Sequence, residues 1–371
     1  MNIYILCIIG VFIISAICGF LFIPLILNFC KSRKLYDIPD ARKIHHNAIP
    51  RLGGISFMPS MLLSFAAALY VINTTDKQVT INLWSIYFLL SMLMIYVMGI
   101  VDDILGLSPL IKFIVQIIAA CTLPLSGLYI NNMYGFFGIH EIPYYIGFPL
   151  TVLTIVFIDN AINLIDGIDG LAASLSIIAL SGFLYMFIVQ NVWSYSILIA
   201  GLIGVLVAFM YFNLFGSAEN NRKIFMGDSG SLTLGFLCIK YSMNNTAVMS
   251  HHKFDFIIAF TLLLVPMFDV VRVFMMRIYH KRSPFSADKT HIHHKFMSAG
   301  CTQHKALVAI LLLAVFYVAA NHFMLMAMSN TVVFIIDVLI YIGVNLALNY
   351  IIMRKHSHVG DIKVASERVK S

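Results

Sequence analysis

The chain has 371 residues, 60% of them hydrophobic and only 11% charged, with a formal net charge of +7. Apolar stretches long enough to cross a bilayer recur from end to end, which excludes a water-soluble globular enzyme and leaves a polytopic membrane protein. The basic excess is not interleaved with base-stacking aromatics, so a nucleic-acid partner is excluded as well.

At roughly 20 residues per helix, about eleven spans can be read, near 3–28, 53–72, 82–100, 109–128, 145–160, 170–190, 193–213, 230–247, 255–278, 305–327 and 331–352. The predicted architecture is an all-α helix bundle forming one integral membrane domain over 1–353, with a C-terminal tail at 354–371. The opening MNIYILC lacks a basic region, and its apolar run is too long for a cleaved signal, so it reads as a retained helix. If the first span runs outward to inward, all but Lys77, Lys240 and Lys253 of the 24 Lys and Arg fall on or toward the cytoplasmic side. That bias satisfies the positive-inside rule, and Trp84 and Trp193 then begin spans at the outer interface. The six cysteines show no CxxC spacing and read as small hydrophobes rather than disulfides or metal ligands.

The first inward loop, LYDIPDARKIHHNAIPRLGG, is turn-rich, and Lys43, His45 and Arg51 crowd positive charge beside the membrane. Such a loop holds anionic lipid, or clamps a phosphate. The third span ends in GIVDDILGLSP. Adjacent Asp102 and Asp103 at an apolar boundary call for a cation or strong hydration, with Lys112 near enough to help.

Asp159 to Leu171 reads DNAINLIDGIDGL, where Asn160, Asn163, Asp166 and Asp169 recur every three residues. On a continuous helix they would share one slowly turning face, on which a cation could sit; the alternative is a helix end capped by Asn and Asp. In FMGDSGSL, small residues around Asp228 predict free backbone N–H groups at a helix start, where anions bind, while the carboxylate could hold a metal. Asp269 and Arg272 in the ninth span read as an orienting ion pair. The exit of that span, PFSADKTHIHHK, carries His291, His293 and His294, better suited to bonding phosphate than to zinc, since no thiolate or paired HxxxH accompanies them. The outer loops hold no comparable constellation.

IPRLGG, GIVDDILGLSP, DNAINLIDGIDGLA, FMGDSGSL and PFSADKTHIHH, in this order, resemble the polyprenyl-phosphate N-acetylhexosamine-1-phosphate transferases over about Asp37 to Lys305. The HIHH form resembles the undecaprenyl-phosphate GlcNAc-1-phosphate branch rather than the lipid I branch. The resemblance implies about ten or eleven helices, a cytoplasmic cleft, an inner-membrane location and often a homodimer. It implies that Asp228, joined by Asn163, holds Mg²⁺, for which Mn²⁺ can substitute. It places Asp102 and Asp103 beside the polyprenyl phosphate, Asn160, Asp166 and Asp169 on the nucleotide side, and His291, His293 and His294 at the diphosphate and sugar.

The implied reaction passes GlcNAc 1-phosphate from UDP-GlcNAc to undecaprenyl phosphate, releasing UMP and starting a surface glycan such as O-antigen or teichoic acid. Another N-acetylated UDP-hexosamine is the alternative donor. A lipid monophosphate with a second pKa of about 6 is already largely dianionic, so Asp102 need not be a general base. A prenyltransferase would space its aspartates as DxxxD, whereas Ile104, Leu105 and Gly106 follow the pair here. A transporter or flippase would place polar groups at mid-bilayer in repeated halves.

Overall fold

The computed structural model describes residues 3–37, 48–75, 83–217, 219–220, 222–248, 255–283 and 289–368. Helices α1 (Ile3–Arg33), α2 (Phe57–Asn73), α3 (Leu83–Leu105), α4 (Pro109–Leu125), α5 (Tyr144–Ile165), α6 (Leu171–Val189) and α7 (Trp193–Leu214) run to and fro in chain order. They are followed by α8 (Gly227–Val248), α9 (Asp255–Thr261), α10 (Leu264–Tyr279), the short α11 (Ile292–Ser298), α12 (Gln303–Met324) and α13 (Asn330–Arg368). The strands are two small antiparallel pairs, β1 (Tyr36–Asp37) with β2 (Ile49–Pro50) at one end of the bundle and β3 (Asn132–Phe136) with β4 (Ile139–Glu141) at the other.

Among the described residues, eight helices are long and apolar enough to cross a membrane. The other three predicted spans are helical but depart from that pattern: α4 is a 17-residue apolar helix, α8 carries polar residues along its length, and the ninth is broken. The break leaves Leu262 and Leu263 in a turn between α9 and α10. Its cause is Pro266, which offers no N–H to Leu262 O and whose ring would crowd that carbonyl. Backbone helix also continues through the predicted tail to Arg368.

Without water between helices, association depends on close packing rather than on hydrophobic exclusion. Helix α7 is buried along nearly all its length and packs most extensively against α1, while α8 packs against α3 and α5. The α1–α7 crossing relies on missing side chains. A β-carbon on Gly19 would lie 2.7 Å from Ala208 Cβ, and one on Gly204 would lie 2.3 Å from Phe12 O. The outward face of α1, with Ile17, Leu21 and Leu25 at 53–63% exposure, is apolar and matches lipid rather than water. At the far end Trp193 stacks on Tyr4 with ring centroids 4.9 Å apart. All six cysteines are free, as their spacing predicts.

The crossing makes a direct prediction. Gly204→Ala forces backbone apart and should cost about 1–3 kcal/mol by overpacking. Gly10→Ala, on α1 with nothing within 4 Å, should leave the midpoint unchanged. Thermal unfolding in detergent, read by size exclusion, compares the two.

Candidate active site

The motifs meet at one end of the bundle because the C-terminal ends of α3, α5 and α10 and the N-terminal ends of α4 and α8 lie there. The first joint is Asp103, which is 4% exposed. Its Oδ1 accepts from Asp228 N at 2.9 Å and its Oδ2 from Ser229 N at 2.9 Å, so a carboxylate of α3 caps the first turn of α8. Opening N–H groups of a helix attract negative charge, and here the protein supplies it. The free amides predicted around Asp228 are therefore taken by Asp103.

Gly227 makes the approach possible. Its φ is +74°, and a β-carbon there would fall 2.0 Å from Arg51 O and 2.5 Å from Asp103 Oδ2. Arg51 in turn donates from Nε to the backbone carbonyl of Asp103 at 2.9 Å. The IPRLGG and FMGDSGSL segments are thereby locked to the paired aspartates.

The second joint is Lys112, the first inward-facing cation of α4. Its Nζ lies 3.1 Å from Asp102 Oδ2 and 2.8 Å from Asp228 Oδ2, bridging two carboxylates that would otherwise repel. Asp102 Oδ1 also accepts from Leu107 N at 2.7 Å. The other oxygen of Asp228, Oδ1, accepts from Asn163 Nδ2 at 3.1 Å, and the same amide donates to Ser231 Oγ at 2.8 Å.

The predicted Asn/Asp stripe is not one helical face. Helix α5 ends at Ile165, its C-cap Asp166 leaves helical geometry at ψ 56°, and Asp169 sits in the following loop, just before Gly170 takes a positive φ of 74° as the N-cap of α6. Asn163 alone of the four bonds Asp228. Asn160 donates instead to Gln116 Oε1 at 2.9 Å and to Val156 O at 2.7 Å, tying α5 to α4. Asp169 pairs with Lys223 Nζ at 2.5 Å. Asp166 remains partly exposed, yet burial first, and then the charges of Asp228, Asp169 and Asp103, push its carboxyl up to about 7.

The histidine segment closes the other side. His291 is buried, with Nδ1 2.8 Å from Asp269 Oδ2. Asp269 is thus more than the partner of Arg272, whose Nη2 lies 2.7 Å from its Oδ1. His293 is 1% exposed, and a β-carbon on Gly167 would meet its Nε2 at 2.2 Å, so glycine lets that ring rest on the Asp166–Asp169 loop. Burial and then the neighbouring His294 hold His293 down at about 3, so it is neutral near pH 7. His294 lies beside it, ring centroids 4.2 Å apart. Lys43 and His45 lie outside the described residues.

Sequence reasoning passed over Gln116, Lys223 and Ser231. Gln116 had a signal, being four residues after Lys112 in an otherwise apolar run and so on its face. Lys223 had none, because its partner Asp169 is remote in sequence, and Ser231 appeared only as one of the small residues around Asp228.

Among the described residues no three His, Cys, Asp or Glu side chains form a cage for a metal. The donor set is instead the sparse kind that suits Mg²⁺, which takes one or two carboxylates, waters and substrate phosphates. Crowded acids that raise Asp166 and recruit Lys112 are sites where added positive charge is favourable.

A buried carboxylate cluster at one end of a polytopic helix bundle, with a histidine resting on the adjoining acidic loop, is the kind of arrangement found at membrane-enzyme active sites. The glycosyl transferase family 4 model matches residues 85–245. The chain is 32% identical over 315 residues to the probable undecaprenyl-phosphate N-acetylglucosaminyl 1-phosphate transferase of Bacillus subtilis (strain 168), covering 81% of this chain and 80% of the relative. It is 30% identical to the undecaprenyl-phosphate alpha-N-acetylglucosaminyl 1-phosphate transferase of Escherichia coli (strain K12), covering 80% and 79%, and 30% identical to that of Yersinia pestis, covering 76% and 74%. The chain belongs to glycosyl transferase family 4, a family of membrane transferases.

Two outcomes test the joints. Asp103→Ala strands two buried N–H donors and should cost about 1–3 kcal/mol, lowering the thermal midpoint, whereas Asp228→Asn should not. Asp166 has a folded pKa near 7, above the unfolded value of about 3.9, so the folded state holds the extra proton between them. Stability should therefore fall as pH rises from about 4 to about 7 and then level off. Asp166→Asn should flatten that slope in midpoints measured from pH 5 to 8 without divalent cations.

Proposed function

We propose that the protein transfers GlcNAc 1-phosphate from UDP-GlcNAc to undecaprenyl phosphate, releasing UMP, in an Mg²⁺-dependent reaction at the cytoplasmic face of the inner membrane. The product would begin a cell-surface glycan, and a homodimer is the form the reading favours. The observation that carries it is Lys112 gripping Asp102 and Asp228 at 3.1 and 2.8 Å where α3 and α4 meet the bilayer. The names of the relatives supply the substrate class.

Beside that clamp, α3 and α4 form an apolar groove of about 490 Å³ lined by Leu93, Val97, Val101, Leu107, Ile111 and Val115. A prenyl chain lying there would bring its phosphate up to Lys112. The lipid phosphate oxygen attacks the phosphorus that carries the sugar, the phosphoanhydride bond to the uridine-bearing phosphate breaks, and UMP leaves with that electron pair. Lys112 neutralises the incoming phosphate, and its bridge to Asp228 loosens as it does so. Asp102 orients Lys112 and accepts any proton the monoester still carries. Neutral His293 holds the donor by hydrogen bonding rather than by charge. Asp228 and Asn163 would hold Mg²⁺, which when bound would supply positive charge to offset that developing on the diphosphate.

The basic Lys43, His45 and Arg51 loop serves the same anions. Direct in-line attack suffices, because a dianion needs no covalent aspartyl intermediate. The test is purified protein with undecaprenyl phosphate and a panel of radiolabelled UDP-sugars. Labelled lipid and equimolar UMP should appear with UDP-GlcNAc, vanish in EDTA and return with Mg²⁺ or Mn²⁺. Asp228→Asn should lose about 100-fold or more in kcat. Release of pyrophosphate, or lipid movement without transfer, would instead identify a prenyltransferase or a flippase.

A further inference from the structure

Helix α13 lies beyond residue 245, where the match to the family model ends, and past the last motif that the sequence offers. It nevertheless carries a polar row, Asp337, Tyr341 and Asn345, spaced by four residues on one face and only 0, 4 and 6% exposed. Polar groups in a membrane span are costly unless bonded, so their partners matter.

At the inner part of the row, Asn321 Nδ2 of α12 donates to Asp337 Oδ2 at 2.8 Å and to Thr261 Oγ1 at 2.7 Å, anchoring α13 to α12 and to the last residue of α9. One turn on, Tyr341 donates its hydroxyl to Asp269 Oδ1 at 3.2 Å. That oxygen also accepts from Arg272 Nη2 at 2.7 Å and Ile292 N at 2.9 Å, while Oδ2 faces His291 Nδ1 at 2.8 Å. A further turn on, Asn345 Oδ1 accepts from Lys295 Nζ at 3.0 Å, and its Nδ2 donates to Tyr341 O at 2.9 Å.

Helix α13 therefore holds α11 directly at Lys295 and, through Asp269 of α10, holds His291 at its N-cap. On the other side of α11, His293 rests on Gly167, and its ring lies parallel to that of His291 with centroids 6.0 Å apart. The contacts run without a gap from α13 to the loop that carries Asp166 and Asp169.

We propose that Tyr341 and Asn345 are positioning residues for the transfer reaction, acting through Asp269 and Lys295 to set the orientation of His291 and the seating of α11 against the acidic loop. The proposal rests on the reading of this site given above. Asp269 faces His291 Nδ1 as acceptor, so that nitrogen carries a proton, and Tyr341 holds Asp269 in place without touching substrate.

The test uses the full chain. Tyr341→Phe removes one oxygen and should lower kcat about tenfold with the KM for lipid acceptor nearly unchanged. In a His291→Asn background the same change should have less than about a twofold effect, the signature of residues acting as one unit. Asn345→Leu should lower kcat, whereas Asn345→Asp, which keeps an acceptor for Lys295, should restore it. Equal losses from Tyr341→Phe in both backgrounds, or an unchanged kcat, would overturn the proposal. A second readout needs no turnover: modification of His291 by diethyl pyrocarbonate, followed by mass spectrometry, should quicken in Tyr341→Phe and Asn345→Leu. Faster labelling in a protein that transfers no sugar phosphate would reject the proposed reaction and keep the positioning role, while unchanged labelling would reject the latter.

Discussion

Two N–H groups at the start of α8 donate to the carboxylate of Asp103, and most of the site depends on that cap. It draws the N-terminus of α8 against the end of α3, which brings Asp228 within reach of Lys112 on α4 and Asn163 on α5. Gly227 is required at the junction because any side chain would collide with Arg51 O and Asp103. The charge arithmetic then follows. Four acids close together in a partly dry pocket cannot all ionise cheaply, so Asp103 is capped by backbone dipoles, Asp102 and Asp228 share an ammonium, and the carboxyl of Asp166 is pushed up.

The same economy governs the histidine side. Asp269, fully buried, is tolerated because it collects Arg272, His291, Ile292 N and Tyr341 from three helices. These bonds hold a seven-residue helix, too short to be stable alone, in a fixed place. The break at Pro266 belongs to this arrangement, since it divides the ninth span into α9, which meets Asn321 through Thr261, and α10, which carries Asp269.

Much was legible from residues alone. The apolar runs needed only composition and spacing, and five short motifs were enough to suggest the family. The misreadings were local in kind. Four residues at a period of three looked like a helical face because periodicity carries no information about the helix stopping at Ile165, before the last two of them. Glycines and serines around Asp228 looked like an open anion cradle because the anion that occupies it, Asp103, comes from 125 residues earlier. Asp269 and Arg272 looked like a closed pair because His291 and Tyr341 are distant in the chain.

What the amino-acid sequence determined by itself is the membrane class, most of the spans and the kinds of group available for chemistry, since hydropathy and charge act locally and add along the chain. What only the tertiary structure decided is the role of each group: Asp103 as a cap, Lys112 as a bridge, Asn160 as a tie to Gln116 and the row on α13 as a brace. The physical reason is that hydrogen bonds and ion pairs act over about 3 Å, and which groups come within that distance is set by how the helices cross.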